Sequence, residues 1–173
     1  LGHIYYQGRF VTRDINKAIH YFTLSANQKN REAQYILGSI YYGCEYVSRD
    51  INKAVYYFTL SAEQNHPESQ NYLGHIYYDR KYGLHDINKS IHYLELAANQ
   101  NNLDSQYFLG IIYYEDLYIT PDIYKSIHYF QLAANQNFDL AQFYLGLIYY
   151  EGNHITRDMK KSIQFLTLSA NQN

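Results

Sequence analysis

Three stretches decide the fold because they recur. They are Glu32-Ala33-Gln34-Tyr35-Ile36-Leu37-Gly38-Ser39-Ile40-Tyr41-Tyr42, then Val47-Ser48-Arg49-Asp50-Ile51-Asn52-Lys53-Ala54-Val55, then Leu60-Ser61-Ala62-Glu63-Gln64. The pair Leu37-Gly38 has counterparts at Leu1-Gly2, Leu73-Gly74, Leu109-Gly110 and Leu145-Gly146, each 36 residues from the next without insertion or deletion. Counting positions from the Leu of each pair, position 4 is always Ile, 5 and 6 always Tyr, 14 always Asp, 17 always Lys, 24 always Leu and 26 always Ala. A fixed period of this length is the mark of a repeat architecture. The repeats so counted are 1–36, 37–72, 73–108, 109–144 and 145–173.

Two helices fit within each unit. Helix B runs from about Asp14 to Asn27, with Asp14 as its N-cap, since a carboxylate there accepts from free backbone N–H groups of the first turn. Ile15, Ala18, Ile19, Phe22 and Ala26 form one apolar stripe at helical spacing, repeated as Ile51, Ala54, Val55, Phe58 and Ala62. Helix A spans the boundary between counted repeats, from about Arg31 to Gly43 in its first complete copy. Glu32, Glu68, Asp104 and Asp139 suit its positive N-terminal end. Pro67 suits a first helical position, and Gly8, Gly43 and Gly152 suit C-terminal caps. Arg80 and Asp116 replace that glycine in two copies, so those ends are specified less sharply. The glycine at position 2 lies inside helix A, where it costs about 1 kcal/mol relative to Ala. Its presence in all five copies implies close approach of helix B of the same repeat.

A single helix pair cannot bury its apolar stripe, whereas stacked neighbours can. The chain is therefore predicted to be all-α, a right-handed α/α solenoid of 36-residue helix-turn-helix units, elongated and curved. Leu1 enters in the middle of a helix A, and Asn173 follows directly on a helix B. The chain thus reads as a segment of a longer protein, with ends able to stack on other repeats.

Composition narrows the function. A net charge of -2 over 173 residues argues against a nucleic-acid or anionic-lipid partner, which wants a basic patch. With 23 Tyr, 8 Phe and no Trp, many rings are expected to be half-buried with wet hydroxyls. The one cysteine, Cys44, cannot form an internal disulfide, which fits a reducing compartment such as the cytoplasm. No stretch approaches the roughly 18 apolar residues of a membrane span, and no signal peptide is visible. The start at Leu1 leaves a removed leader open.

The three quoted stretches resemble the Sel-one-like repeat (SLR), an α/α repeat related to the tetratricopeptide repeat, over the whole chain. The shared pattern is A-x-x-x-L-G-x-x-Y, then D-x-x-K-A, then A-x-Q. A tetratricopeptide repeat has a period of about 34 residues and a Trp where this chain has Gln34. The resemblance implies a scaffold or adaptor that binds a protein or peptide along a concave face lined by helix A. One cysteine separates the chain from the cysteine-rich branch of the family that ties each helix pair with a disulfide.

The exposed stripe of helix A, at positions 32, 35, 3, 6 and 7, is the candidate ligand groove. Position 35 reads Tyr35, Asn71, Tyr107 and Phe143. Position 3 reads His3, Ser39, His75, Ile111 and Leu147, and position 7 reads Gln7, Gly43, Asp79, Glu115 and Glu151. These columns drift while their neighbours are fixed, as local contacts to an irregular ligand would allow; relaxed surface is the alternative. Tyr42, Tyr78, Tyr114 and Tyr150 add an aromatic ladder at position 6 that serves either ligand binding or packing between repeats. The C-terminal half combines Ile111, Phe143 and Leu147 with Asp79, Glu115, Asp116 and Glu151, which predicts a ligand with apolar residues and a Lys or Arg.

Other chemistries have less support in the residues. His20, His92 and His128 share one position of helix B, but equivalent positions lie about 8–10 Å apart or more, too far for one metal ion. No cofactor motif is present. Cys44 has no evident His partner, Asp14 and Lys17 suit a cap and an exposed ion pair, and there is no phosphate loop or nucleophile elbow, so an enzyme is not expected. Arg13, Arg49 and Arg157 fall in loops rather than on base-reading helices, which argues against RNA. The alternative to a binding scaffold is an architectural spacer without its own ligand.

Overall fold

The computed structural model describes residues 1–43, 45–115 and 118–172. Among them are α1 (Gly2–Gln7), α2 (Ile15–Asn27), α3 (Arg31–Gly43), α4 (Ile51–Ala62), α5 (Pro67–Tyr78), α6 (Ile87–Ala98), α7 (Leu103–Glu115), α8 (Ile123–Asn135), α9 (Asp139–Glu151) and α10 (Met159–Ala170), with no strand. Odd-numbered helices are the A helices and even-numbered ones the B helices. The chain is all-α, and its helices fall into two compact units, Leu1–Asp86 and Ile87–Asn173.

The constant columns explain the local structure. The carboxylates of Asp14, Asp50, Asp122 and Asp158 accept from the backbone N–H of Lys17, Lys53, Lys125 and Lys161 at 3.0–3.1 Å. That donated N–H holds the Asp14 and Asp50 carboxyls below the usual carboxylate range. The N–H of each capping Asp in turn donates to the carbonyl of the position-5 tyrosine, from Asp14 to Tyr5 at 3.1 Å and from Asp122 to Tyr113 at 2.8 Å, which fixes the A-to-B loop. Those tyrosines stack flat on the position-21 ring of helix B, as in Tyr41–Tyr57 at 5.9 Å and 6° and Tyr113–Tyr129 at 5.8 Å and 6°. The position-17 ammonium lies over the same tyrosine, 5.0 Å from the Tyr41 ring for Lys53 and 4.7 Å from the Tyr113 ring for Lys125. The invariant Lys therefore does more than pair with the capping Asp.

The turn from B to A is equally regular. Lys29, Asn65, Asn101 and Asn137 all adopt left-handed backbone, with φ between 59° and 63°. Asn tolerates that conformation well and Lys less so. Gly8 and Gly152 end α1 and α9 with φ of 67° and 65°. Gly43 differs from expectation. It is the last residue of α3 itself, with no positive φ, and so is not a left-handed cap. In the third repeat a 3-10 turn, Arg80–Tyr82, follows α5 and moves the left-handed glycine on to Gly83, φ 69°.

In both units each helix packs on its chain neighbours. The first buries Ala18, Phe22, Ala26, Ala33, Leu37 and Ile40, and the second buries Phe130, Ala133, Ala134, Ala141, Leu145 and Ile148. The glycine at position 2 lies against the position-22 side chain of the following helix B, a Phe ring opposite Gly2, Gly38 and Gly110 and Leu166 opposite Gly146. A Cβ on Gly38 would stand 2.5 Å from the Phe58 ring, and one on Gly110 would stand 2.5 Å from Phe130. Close approach of helix B is the reason no side chain is tolerated there.

Candidate protein-interaction face

In the first unit the predicted groove residues lie on α3 and α5, and most of those with described contacts serve packing. The half-buried Tyr35 ring stacks on His66 at 4.7 Å and 24°, with Phe58 and Tyr72 at 6.1 and 6.2 Å. Ser39 returns its hydroxyl to the Tyr35 carbonyl at 3.1 Å. Tyr42 meets Phe58, Tyr72 and Tyr82 edge-on, with Tyr72 at 5.4 Å, and the Arg49 guanidinium lies 5.7 Å from its ring. Burial, then the neighbouring Tyr82 hydroxyl, pushes the Tyr42 phenol up to about 12. The Asp79 carboxylate accepts from the Lys81 N–H at 2.8 Å and starts the 3-10 turn. Asn71, His75 and Tyr78 are half-buried along α5.

In the second unit Tyr107, Ile111 and Tyr114 of α7 are half-buried in the same way, and it is the positions on α9 that open toward solvent. Tyr107 is held edge-on by Phe138 at 5.0 Å, and Tyr114 by Tyr144 at 5.8 Å. Ile111 packs on the core beside them. The Tyr114 hydroxyl donates to Glu151 at 3.4 Å, which joins the C-terminal ends of α7 and α9. Burial, then the charge of Glu151, raises the Tyr114 phenol above its ordinary value, and Glu115 adds to that shift. Two carboxylates therefore stand at one end of this face, both on exposed residues. Along α9, Leu140, Phe143 and Tyr150 are 45%, 40% and 49% exposed, with the half-buried Leu147 between them on the same stripe. The Arg157 guanidinium covers Tyr150 at 4.9 Å. Asp116, like Cys44, lies outside the described residues.

The ladder at position 6 thus packs between repeats at Tyr42 and Tyr114, whereas Tyr150 is half exposed under the Arg157 guanidinium. The drift at position 35 has a packing counterpart as well: Tyr35 faces His66, and Tyr107 faces Phe138. Sequence reasoning missed a buried amide relay. Gln34, Gln70, Gln106 and Gln142 donate to the carbonyls of Ala26, Ala62, Ala98 and Ala134 at the ends of the preceding B helices. Gln64, Gln136 and Gln172 donate to Gln34, Gln106 and Gln142 at 2.7–2.8 Å. The signal was available, because positions 28 and 34 are Gln in every copy.

The Sel1 repeat family model matches at residues 1–30, 31–66, 67–102, 103–138 and 139–173. The chain belongs to the Sel1 repeat family. Among solved structures it is similar to a protective antigen of uropathogenic Escherichia coli with an SLR fold, at 29% identity and a TM-score of 0.90. A Sel1 repeat protein from Oxalobacter formigenes is similar at 30% identity and a TM-score of 0.83. Each match covers 99% of this chain, which spans 37% of the first protein and 49% of the second. A Sel1 repeat protein from Klebsiella pneumoniae shares the fold at 20% identity and a TM-score of 0.59, over 99% of this chain and 84% of its own. A comparison with curated proteins gave no match. Sel1 repeats generally act as protein-interaction scaffolds, and the fold is typically non-catalytic. Among the described residues no helix is long and apolar enough to cross a membrane.

Proposed function

We propose that this Sel1 repeat segment is a scaffold whose ligand face in the second unit is the α7–α9 surface, binding a protein segment that carries apolar side chains and a Lys or Arg. The observation that carries this reading is the exposed stripe Leu140, Phe143, Leu147 and Tyr150 ending beside Glu115 and Glu151. Contiguous exposed apolar surface edged by charge is how interaction sites present themselves. In the first unit Tyr35, Ser39, Tyr42 and Asp79 are engaged within the fold, so the proposal is confined to the second unit.

Affinity capture from native lysate with the chain, and with a variant carrying Phe143→Ala, Glu115→Lys and Glu151→Lys, tests it. These residues are exposed, so helicity should not change. A partner retained by the first and lost by the second supports the proposal; capture unaffected by the substitutions removes it.

A second reading has its own observation. At the Phe143 position, Tyr35 and Tyr107 are covered by the following repeat, so the α9 stripe is also suited to receive another repeat of the same kind. Sedimentation of the chain alone separates the two. Concentration-dependent self-association abolished by Phe143→Ala would favour stacking of repeats over a foreign ligand.

A further inference from the structure

Beside the first turn of a B helix the structure holds a cavity between adjacent repeats, and it does so at the same register in both units. In the first it is about 800 Å³, with Asn16 and Ile19 of α2 on one wall and Tyr41, Val47, Asp50, Ile51 and Lys53 on the other. In the second it is about 510 Å³, with Tyr124 and Ile127 of α8 facing Tyr149, Ile155, Met159 and Lys161. Such volumes lie within the range of about 300–1,000 Å³ that ligand sites occupy. Stacking alone produces the notch, so its presence says nothing about use. Its lining in the second unit is informative.

Position 16 is Asn in the first three repeats and Tyr124 in the fourth; position 15 is Ile in the first four and Met159 in the fifth. These two departures lie on different helices, α8 and α10, yet they meet on one cavity. Neither serves the core, for Tyr124 is 72% exposed and Met159 42%. The outcome is an aromatic ring and a flexible thioether at the mouth of a cleft floored by Ile127 and Ile155, a combination that adapts to varied apolar side chains. The rim is cationic. The Lys161 ammonium rests 4.8 Å from the Tyr149 ring and only loosely pairs with Asp158 at 3.9 Å, while Lys160 beside it is exposed. Arg157 also lines the cleft, with its guanidinium turned onto Tyr150.

We infer that the notch between the fourth and fifth repeats is a second docking site, distinct from the α7–α9 face, for an extended partner segment in which a large apolar side chain is followed by acidic residues. The apolar side chain enters between Tyr124 and Met159, and the carboxylates meet Lys160 and Lys161. The charge preference is opposite to that of the acidic α7–α9 face, so one molecule would hold two segments of unlike chemistry.

The test pans a random linear peptide library on the full chain and measures enriched, fluorescently labelled peptides by anisotropy. Tyr124→Asn with Met159→Ile restores the residues that the other repeats use, so the fold is retained. Enriched peptides are expected to carry an apolar residue followed by acids. They should bind this double variant roughly tenfold more weakly. They should also weaken with Lys161→Gln and with added salt, and be indifferent to Phe143→Ala with Glu115→Lys. Peptides that lack the acidic residues, that bind the double variant within about twofold of the parent, or that are lost only with the α7–α9 substitutions would overturn the assignment. So would a selection that enriches nothing.

Discussion

At one place in the repeat frame, Tyr35 of the first unit meets His66 and Tyr107 of the second meets Phe138. The two neighbours occupy the same position and do different work. His66 is 4% exposed; its Nδ1 accepts from the Ser69 N–H at 3.3 Å and caps α5, and its Nε2 lies 3.3 Å from Glu32. The His66 Nδ1 also lies 3.3 Å from the Glu68 carboxylate, so the ring stands between two acidic side chains. Phe138 gives α9 no side-chain cap and packs instead with Tyr107 and the core. This position is therefore optional to the frame. Glycine against ring, Asp cap, stacked tyrosines and the amide relay hold the helices in both units, which leaves the junction free to trade a cap for apolar contact.

If the frame is common, breaking it should cost the same in either unit. Gly38→Ala and Gly110→Ala each drive a methyl to 2.5 Å from a buried aromatic ring that has no room to withdraw. Each should lose about 1–3 kcal/mol, the usual cost of overpacking, read from urea unfolding of the full chain. A large loss in one unit with none in the other would show that the two units do not share this frame. The junction should behave oppositely. His66→Phe leaves the α5 N-terminus uncapped at about 1 kcal/mol, whereas His66→Asn keeps an acceptor, as Asn30 and Asn102 do for α3 and α7. Phe138→Asn supplies α9 with a cap but removes the Tyr107 ring contact, worth about 0.5–1.5 kcal/mol beyond its buried area. It should therefore destabilise on balance, as thermal melts would show.

The frame was legible in the sequence because each of its parts is a constant column. The period, the Asp caps, the glycine against helix B and the helix bounds at Arg31 and Gly43 could all be read without coordinates. The face was less legible. Drift in a column looks the same whether the side chain meets a ligand or a neighbour that has drifted with it, and Tyr35 with His66 is the second kind. The partner of a position-35 residue lies some 30 positions later on another helix, a distance that no local pattern exposes. The open stripe on α9 and the covered ring of Tyr107 read alike for that reason. The Gln columns were legible but went unread, because a polar column inside a helix attracts attention only once its burial is known.

A smaller effect is expected at the B-to-A turn. Lys29 holds φ 63° in the first unit where Asn65, Asn101 and Asn137 hold it elsewhere. Lys29→Asn should relieve part of the left-handed cost, which runs to about 1–2 kcal/mol for an ordinary side chain, and so stabilise by a few tenths of a kcal/mol. Asn101→Lys in the second unit should lose as much. A differential melt of the pair measures both at once, and equal signs would show that the two turns are not equivalent.

The smallest effect at neutral pH concerns position 23, where the first unit has Thr23 and the second has Glu95. The Thr23 hydroxyl contacts Tyr57 and opposes the upward shift that burial gives that phenol. Glu95 instead accepts from both Tyr113 and Tyr129, at 3.3 and 3.4 Å. Burial, then the Glu95 charge, pushes the Tyr113 phenol up to about 12 and raises Tyr129 further. A raised phenol stays protonated in the folded chain at a pH where the unfolded chain has already lost that proton. Its contribution is complete below about 10, the unfolded value, and is lost as pH rises through the folded value near 12. Glu95→Gln keeps an acceptor and removes the charge, so both phenols should ionise at lower pH in an ultraviolet titration of the native chain. Urea midpoints should then fall less steeply above pH 10, because less proton uptake separates the two states. Thr59→Glu, which places the same charge at this position in the first unit, should leave the Tyr113 and Tyr129 titration where it is. Movement of those two phenols with Thr59→Glu would show that their shift is not set locally by Glu95.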